Sequence, residues 1–95
     1  MSIASTIVDQ LGGHGRLRAM VGADYFLELS SGVSFTFKNR HASKGSHVTV
    51  SLRSDDTYDM DFYRITGALV KRYEGVYADR LVEIFEAQTG LYLRL

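Results

Sequence analysis

Through the middle of this chain apolar and polar residues alternate with a period of two, while near both ends they fall at the spacing of one helix face. Val33, Phe35 and Phe37 alternate with Ser34, Thr36 and Lys38, and Ser30-Ser31-Gly32 separates them from the apolar-rich residues 25–29. That arrangement predicts a half-buried antiparallel hairpin. Val48, Val50 and Leu52 repeat the pattern against His47, Thr49, Ser51 and Arg53, and Tyr58, Met60 and Phe62 do so again after the turn-like Ser54-Asp55-Asp56-Thr57. Parity slips at Tyr63, so a bulge is expected there, with Tyr63 and Ile65 on the inner face. Gly67 interrupts the run, and residues 69–73 offer one further strand.

Towards the C-terminus, Leu81, Ile84, Phe85 and Gln88 occupy positions i, i+3, i+4 and i+7, which predicts a helix with one buried stripe. Asp79 falls in its expected first turn, and Gly90 stands just past the last periodic residue, where a left-handed conformation ends a helix. Leu91, Tyr92, Leu93 and Leu95 form an apolar run too short for another helix and are expected to return across the core as a strand or extended tail. Near the N-terminus, Ile3, Ile7 and Leu11 follow the cap candidates Ser2 and Ser5, and Gly12-Gly13 closes a short helix. Residues 14–22 fit either period, since Arg16-Leu17-Arg18-Ala19-Met20-Val21 alternates only weakly; a strand is the expectation taken here. The sum is a single α+β domain over residues 1–95. It is an antiparallel β-meander of four to six strands, with a short N-terminal helix and a C-terminal amphipathic helix packed on one face.

Composition narrows the chemistry. Ninety-five residues can bury roughly two-thirds of the surface exposed by the unfolded chain. With no Cys, disulfides and thiolate metal sites are excluded, and eleven basic against eleven acidic residues give zero formal charge. A charge-driven partner must therefore be met by a local patch. No apolar stretch approaches bilayer length and no signal-peptide pattern opens the chain, so a cytoplasmic protein without a membrane partner is expected.

Several clusters remain as candidates. Asp55, Asp56, Asp59 and Asp61 supply oxygen ligands of the kind Mg²⁺ prefers, but they read equally as a turn followed by a solvated strand face. Lys38, Arg40, His41, Lys44 and His47 form the one local basic patch, a loop able to grip phosphate. Asp79, Glu83 and Glu86 lie on the outward side of the closing helix, an acidic ridge suited to a basic groove on another protein. Tyr25, Tyr63 and Tyr73 are candidates for a contact surface, and the open sheet edges leave a route to a homodimer. His14, His41 and His47 lack helical i, i+4 spacing, no serine sits in a nucleophile elbow, and Gly12-Gly13-His14-Gly15 lacks the Lys-Ser/Thr of a P-loop. The expectation is accordingly no catalytic residue, no metal ligand and no cofactor.

Leu11-Gly12-Gly13, Met20-Val21-Gly22-Ala23, Tyr58-Asp59-Met60 with Phe62, Gly75-Val76-Tyr77-Ala78-Asp79 and Thr89-Gly90-Leu91-Tyr92 recur in this order along the chain. In them the sequence resembles a family of small bacteriophage- and prophage-encoded proteins of no established activity, which end in a Gly-Val/Ile-Tyr-Ala-Asp…Thr-Gly-Leu-Tyr motif. It departs from that pattern at His14-Gly15, where the family has a polar residue leading into an aromatic strand. The resemblance implies a phage origin and the host cytoplasm as the place of action. Combined with small size and missing catalytic groups, it leads to an expectation of a non-catalytic phage accessory protein. Such a protein would bind a host macromolecule, for instance as an inhibitor of a bacterial defence system. A nucleic-acid-binding module using loop 38–47 is the alternative.

Overall fold

In the computed structural model, which describes residues 2–39 and 42–93, the alternating segments pair as one antiparallel sheet. Its strands are β1 (Asp24–Leu29), β2 (Gly32–Thr36), β3 (His47–Leu52), β4 (Tyr58–Tyr63) and β5 (Leu69–Val76), and their spatial order is their order in sequence. Helices α1 (Ile3–Gln10) and α2 (His14–Val21) precede the sheet, and α3 (Leu81–Thr89) follows it through a 3-10 turn at Ala78–Arg80. The architecture is thus the expected α+β meander.

Alternation decides the faces. Val33, Phe35, Val48, Val50, Met60 and Phe62 are buried under the helices, which contribute Ile7 and Val8, Leu17 and Val21, and Leu81 and Phe85. The Phe85 ring lies 5.0 Å from Phe37, 6.1 Å from Phe62 and 6.4 Å from Phe35, so α3 is anchored by an aromatic cluster. The intervening residues Ser34, Thr36, His47, Thr49, Ser51, Asp59 and Asp61 line the opposite face, which no helix covers.

Helix ends follow local chemistry. Ser2 Oγ accepts the Ser5 N–H at 3.0 Å while Ser5 Oγ accepts the Ser2 N–H at 3.2 Å, a reciprocal cap for α1. Gly90, with φ of 76°, ends α3 in the left-handed conformation that its position predicted.

Three expectations are corrected. Residues 14–21 are helical, because Leu17 and Val21 make an i, i+4 pair over the core and Gly22, with φ of 64°, ends the helix. Its terminal carbonyls are tied off by the N–H groups of Gly22 and Ala23, which reach Arg18 and Leu17 at 3.0 and 3.2 Å. In α3 the fully buried stripe is Leu81, Phe85 and Thr89, whereas Ile84 and Gln88 are half-buried. Gln88 holds β5 and the loop before β3 together, its Oε1 accepting from the Tyr73 hydroxyl at 2.7 Å and its Nε2 donating to the Lys44 carbonyl at 3.3 Å. Finally, β4 stops at Tyr63 and residues 64–67 form a turn. A register shift does occur between Phe62 and Tyr63, yet Tyr63 lies on the uncovered face and Ile65 is 88% exposed. Residues 91–93 after Gly90 form no strand: Leu93 is buried and its N–H donates to Glu86 Oε2 at 2.8 Å, while Leu95 lies outside the described residues. Among the described residues no helix is long and apolar enough to cross a membrane.

Candidate functional site

One end of the sheet does not close. Beyond the last β2–β3 rungs, Phe37 N–H still donates to the Ser46 carbonyl at 2.9 Å, and Thr36, Phe37, Ser46 and His47 form a floor. On one side stands the end of α2 with the start of β1; on the other rises the β4–β5 turn. Between them lies a cleft of about 630 Å³, a size suited to a small molecule or to one or two units of a polymer.

Both walls are cationic. Arg18 comes from α2, Lys38 from the end of the β2 segment and Arg64 from the β4–β5 turn, with His47 on the floor and Asp24 as the one carboxylate. Among the described residues, Arg18, Lys38 and Arg64 make no ion pair. The arginines of the uncovered sheet face behave differently. Arg53 bonds Asp59 at 2.9 Å, and Arg72 bonds Asp61 through two nitrogens at 2.8 and 3.1 Å; these bonds push both guanidinium groups upward from their ordinary value. Net positive charge is therefore left at the cleft on a chain whose total is zero.

Lys38 is held in place from two directions. Its N–H donates to the Val21 carbonyl at 2.9 Å, and its methylene stem packs over Gly22, where a β-carbon would lie only 3.0 Å from Lys38 Cδ. Gly22 is thus required both for its positive φ and for that close approach.

Tyr25 forms the cleft's aromatic lip. β1 carries an extra residue between Asp24 and Leu27 relative to β2, and at this bulge Tyr25 takes φ of 55°, a conformation that a tyrosine rarely adopts. Its N–H donates to Asp24 Oδ1 at 2.8 Å, and the Thr36 hydroxyl donates to the Asp24 carbonyl at 3.2 Å, which fixes the bulge against β2. The ring is left 78% exposed. On the floor, the His47 ring lies 5.6 Å from that of Tyr63, and burial lowers the imidazole's pKa from its ordinary 6.5.

The sequence candidates are divided by the fold. Lys38 and His47 meet in the cleft, but Lys44 sits at the end of α3, its Nζ 3.7 Å from the point where a Gly90 β-carbon would stand. A cation at that helix C-terminus serves the helix dipole, so the expected single basic loop is two separate features. Arg40 and His41 lie outside the described residues. The acidic ridge is also broken up: Asp79 is exposed, Glu83 pairs with Arg80 at 2.8 Å, and Glu86 is turned to the tail. In the aspartate cluster, Asp55 accepts from the Thr57 hydroxyl and N–H at 2.6 and 3.2 Å, bonds that hold its carboxyl below the usual range, while Asp59 and Asp61 face arginines. Among the described residues no three His, Cys, Asp or Glu side chains are grouped so as to hold a metal ion.

Arg18 and Arg64 were not singled out by sequence. A strand at residues 14–22 gave Arg18 no defined direction; the apolar pair Leu17 and Val21 followed by Gly22 was the signal that places it on a helix end. No protein-family model, curated protein or solved structure matches this chain.

Proposed function

We propose that this is a non-catalytic binding protein that holds an anionic host macromolecule in the cleft between α2, β1 and the β4–β5 turn. The observation that carries the reading is the convergence of Arg18, Lys38 and Arg64, without ion pairs among the described residues, on a molecule of zero net charge. Lys38 and Arg64 thus keep their charge for a ligand, and Arg18 adds a third positive charge while its guanidinium lies 5.9 Å from the centre of the Phe26 ring. The sequence resemblance to phage-encoded proteins supports a setting in infection, and a phage accessory that obstructs a bacterial defence nuclease would fit a protein acting by occupancy alone.

Retention on immobilised heparin tests the polyanion site, since a neutral protein has no bulk charge to hold it there. The wild type should be retained at low salt and released as salt rises. Replacing Arg18, Lys38 and Arg64 by Gln should abolish retention, while replacing Lys71 and Arg80 should not. Equal loss from both sets, or no retention of the wild type, contradicts the reading.

A further inference from the structure

Resting on that reading, we infer that the partner is a single-stranded nucleic acid whose phosphates lie along Arg18, Lys38 and Arg64 and whose bases stack on Tyr25 and beside the His47–Tyr63 pair.

Three features of the cleft point to this ligand chemistry. The first is that charge and aromatic surface occur together. Arg18, Lys38 and Arg64 line the same hollow as the 78% exposed Tyr25 ring and as His47, which is itself packed on Tyr63. Phosphate needs the former, and an unpaired base needs a flat π-surface of the latter kind. An anionic protein segment would use the same cations, but the flat exposed ring face matches a planar base.

The second is how Tyr25 is held. A bulge, a positive φ and the hydrogen bond from its own N–H to Asp24 Oδ1 keep the backbone in place, so the ring projects from a fixed base. Little conformational freedom is lost when a base settles on such a ring.

The third is length. On the other side of the Lys38 stem lies a second open hollow of about 500 Å³, lined by Met20, Val21, Gly22, Lys38, Asn39 and Leu91. Gly22 and Lys38 border both hollows, so the Lys38 stem stands between them. A mononucleotide would fill one hollow; a strand crossing Lys38 uses both. A duplex is disfavoured by the same shape, because its bases are already stacked and unavailable to Tyr25.

The experiment is fluorescence anisotropy with a labelled thymidine oligonucleotide of about twelve residues, a length typical of single-strand sites. A duplex of matched length, thymidine monophosphate and poly-glutamate serve as competitors. The oligonucleotide should bind, and the logarithm of its affinity should fall against the logarithm of salt with a slope of about −2, as three phosphate contacts on a single strand imply. Arg18→Gln or Lys38→Gln should flatten that slope.

Tyr25→Ala should weaken binding by about tenfold or more, as loss of one base–aromatic stack does. Tyr25→Asn removes the ring but tolerates positive φ, and should match Ala; Tyr25→Trp should retain affinity. Competition by the duplex or by poly-glutamate as strong as by the unlabelled single strand overturns the inference, as does an oligonucleotide affinity indifferent to Tyr25. In either case heparin retention can survive, leaving the polyanion site standing without this ligand. If the protein is not retained on heparin and no oligonucleotide binds, both proposals fall together.

Discussion

Asp61 and Arg72 face each other across the β4–β5 pair and share two hydrogen bonds, Nε to Oδ1 at 2.8 Å and Nη2 to Oδ2 at 3.1 Å. Asp61 is only 9% exposed, so the guanidinium fork stands in for most of its water. Removing the arginine leaves a shielded carboxylate without compensation, which costs more than the pair itself contributes. Arg72→Met should therefore lower the thermal midpoint, and adding Asp61→Asn should recover part of the loss. An unchanged midpoint for Arg72→Met would show that solvent replaces the fork without cost.

Phe85 sits at the centre of the ring cluster formed with Phe35, Phe37 and Phe62 and is fully buried. Truncation to Ala leaves a cavity that a rigid sheet cannot collapse into, at a cost of about 3–5 kcal/mol. That is a large share of the roughly 5–15 kcal/mol typical of a folded domain. Urea denaturation should find Phe85→Ala severely destabilised and Tyr92→Ser, at a residue 71% exposed, close to the parent.

Gly32 opens β2 opposite Ser51, and a β-carbon there would overlap the Val50 carbonyl oxygen and lie 2.9 Å from Ser51 Cα. No side-chain rotation relieves a clash with backbone. Gly32→Ala is expected to separate β2 from β3 and to sharply reduce soluble, folded protein, whereas Ser31→Ala beside it should behave as wild type. Circular dichroism of the two variants decides the point.

The sequence was most legible at turns and helix ends. Ser30-Ser31-Gly32 between two alternating runs gives the first hairpin, Ser2 gives the start of α1, and Gly90 gives the end of α3, because in each case the determining chemistry is local. Residues 14–21 were not legible as a helix: only Leu17 and Val21 are buried there, and the N-cap Gly13 offers no side chain to signal a start. The cleft was legible in part. Lys38 and His47 were visible as a basic segment, but Arg18 and Arg64 come from opposite walls and meet only when the meander is complete. Proximity along the chain likewise misled at Lys44, which the fold carries away to the end of α3.

His47 supplies a pH dependence. It is half-buried, with Thr36 opposite on β2 and Tyr63 opposite on β4, and shares the cleft with Arg18, Lys38, Arg64 and Asp24. Burial lowers its folded pKa below the ordinary 6.5, so the unfolded chain takes up the proton first as pH falls. Its contribution to stability is complete above 6.5 and is lost as pH drops through the lowered folded value. His47→Gln should flatten that limb of the stability curve. Bound phosphate favours the imidazolium, so an oligonucleotide should raise the His47 pKa in an NMR titration. A ring that titrates identically with and without oligonucleotide would separate His47 from the binding site.

The most direct test is a backbone amide NMR titration of the full chain with the thymidine oligonucleotide. Shift changes should concentrate at Gly22, Tyr25, Lys38, His47, Ile65 and Gly67, on both walls of the cleft, and should shrink as salt is raised. Perturbations centred instead on Asp79 and Glu83, or the absence of any perturbation at low salt, would contradict the assignment of this cleft.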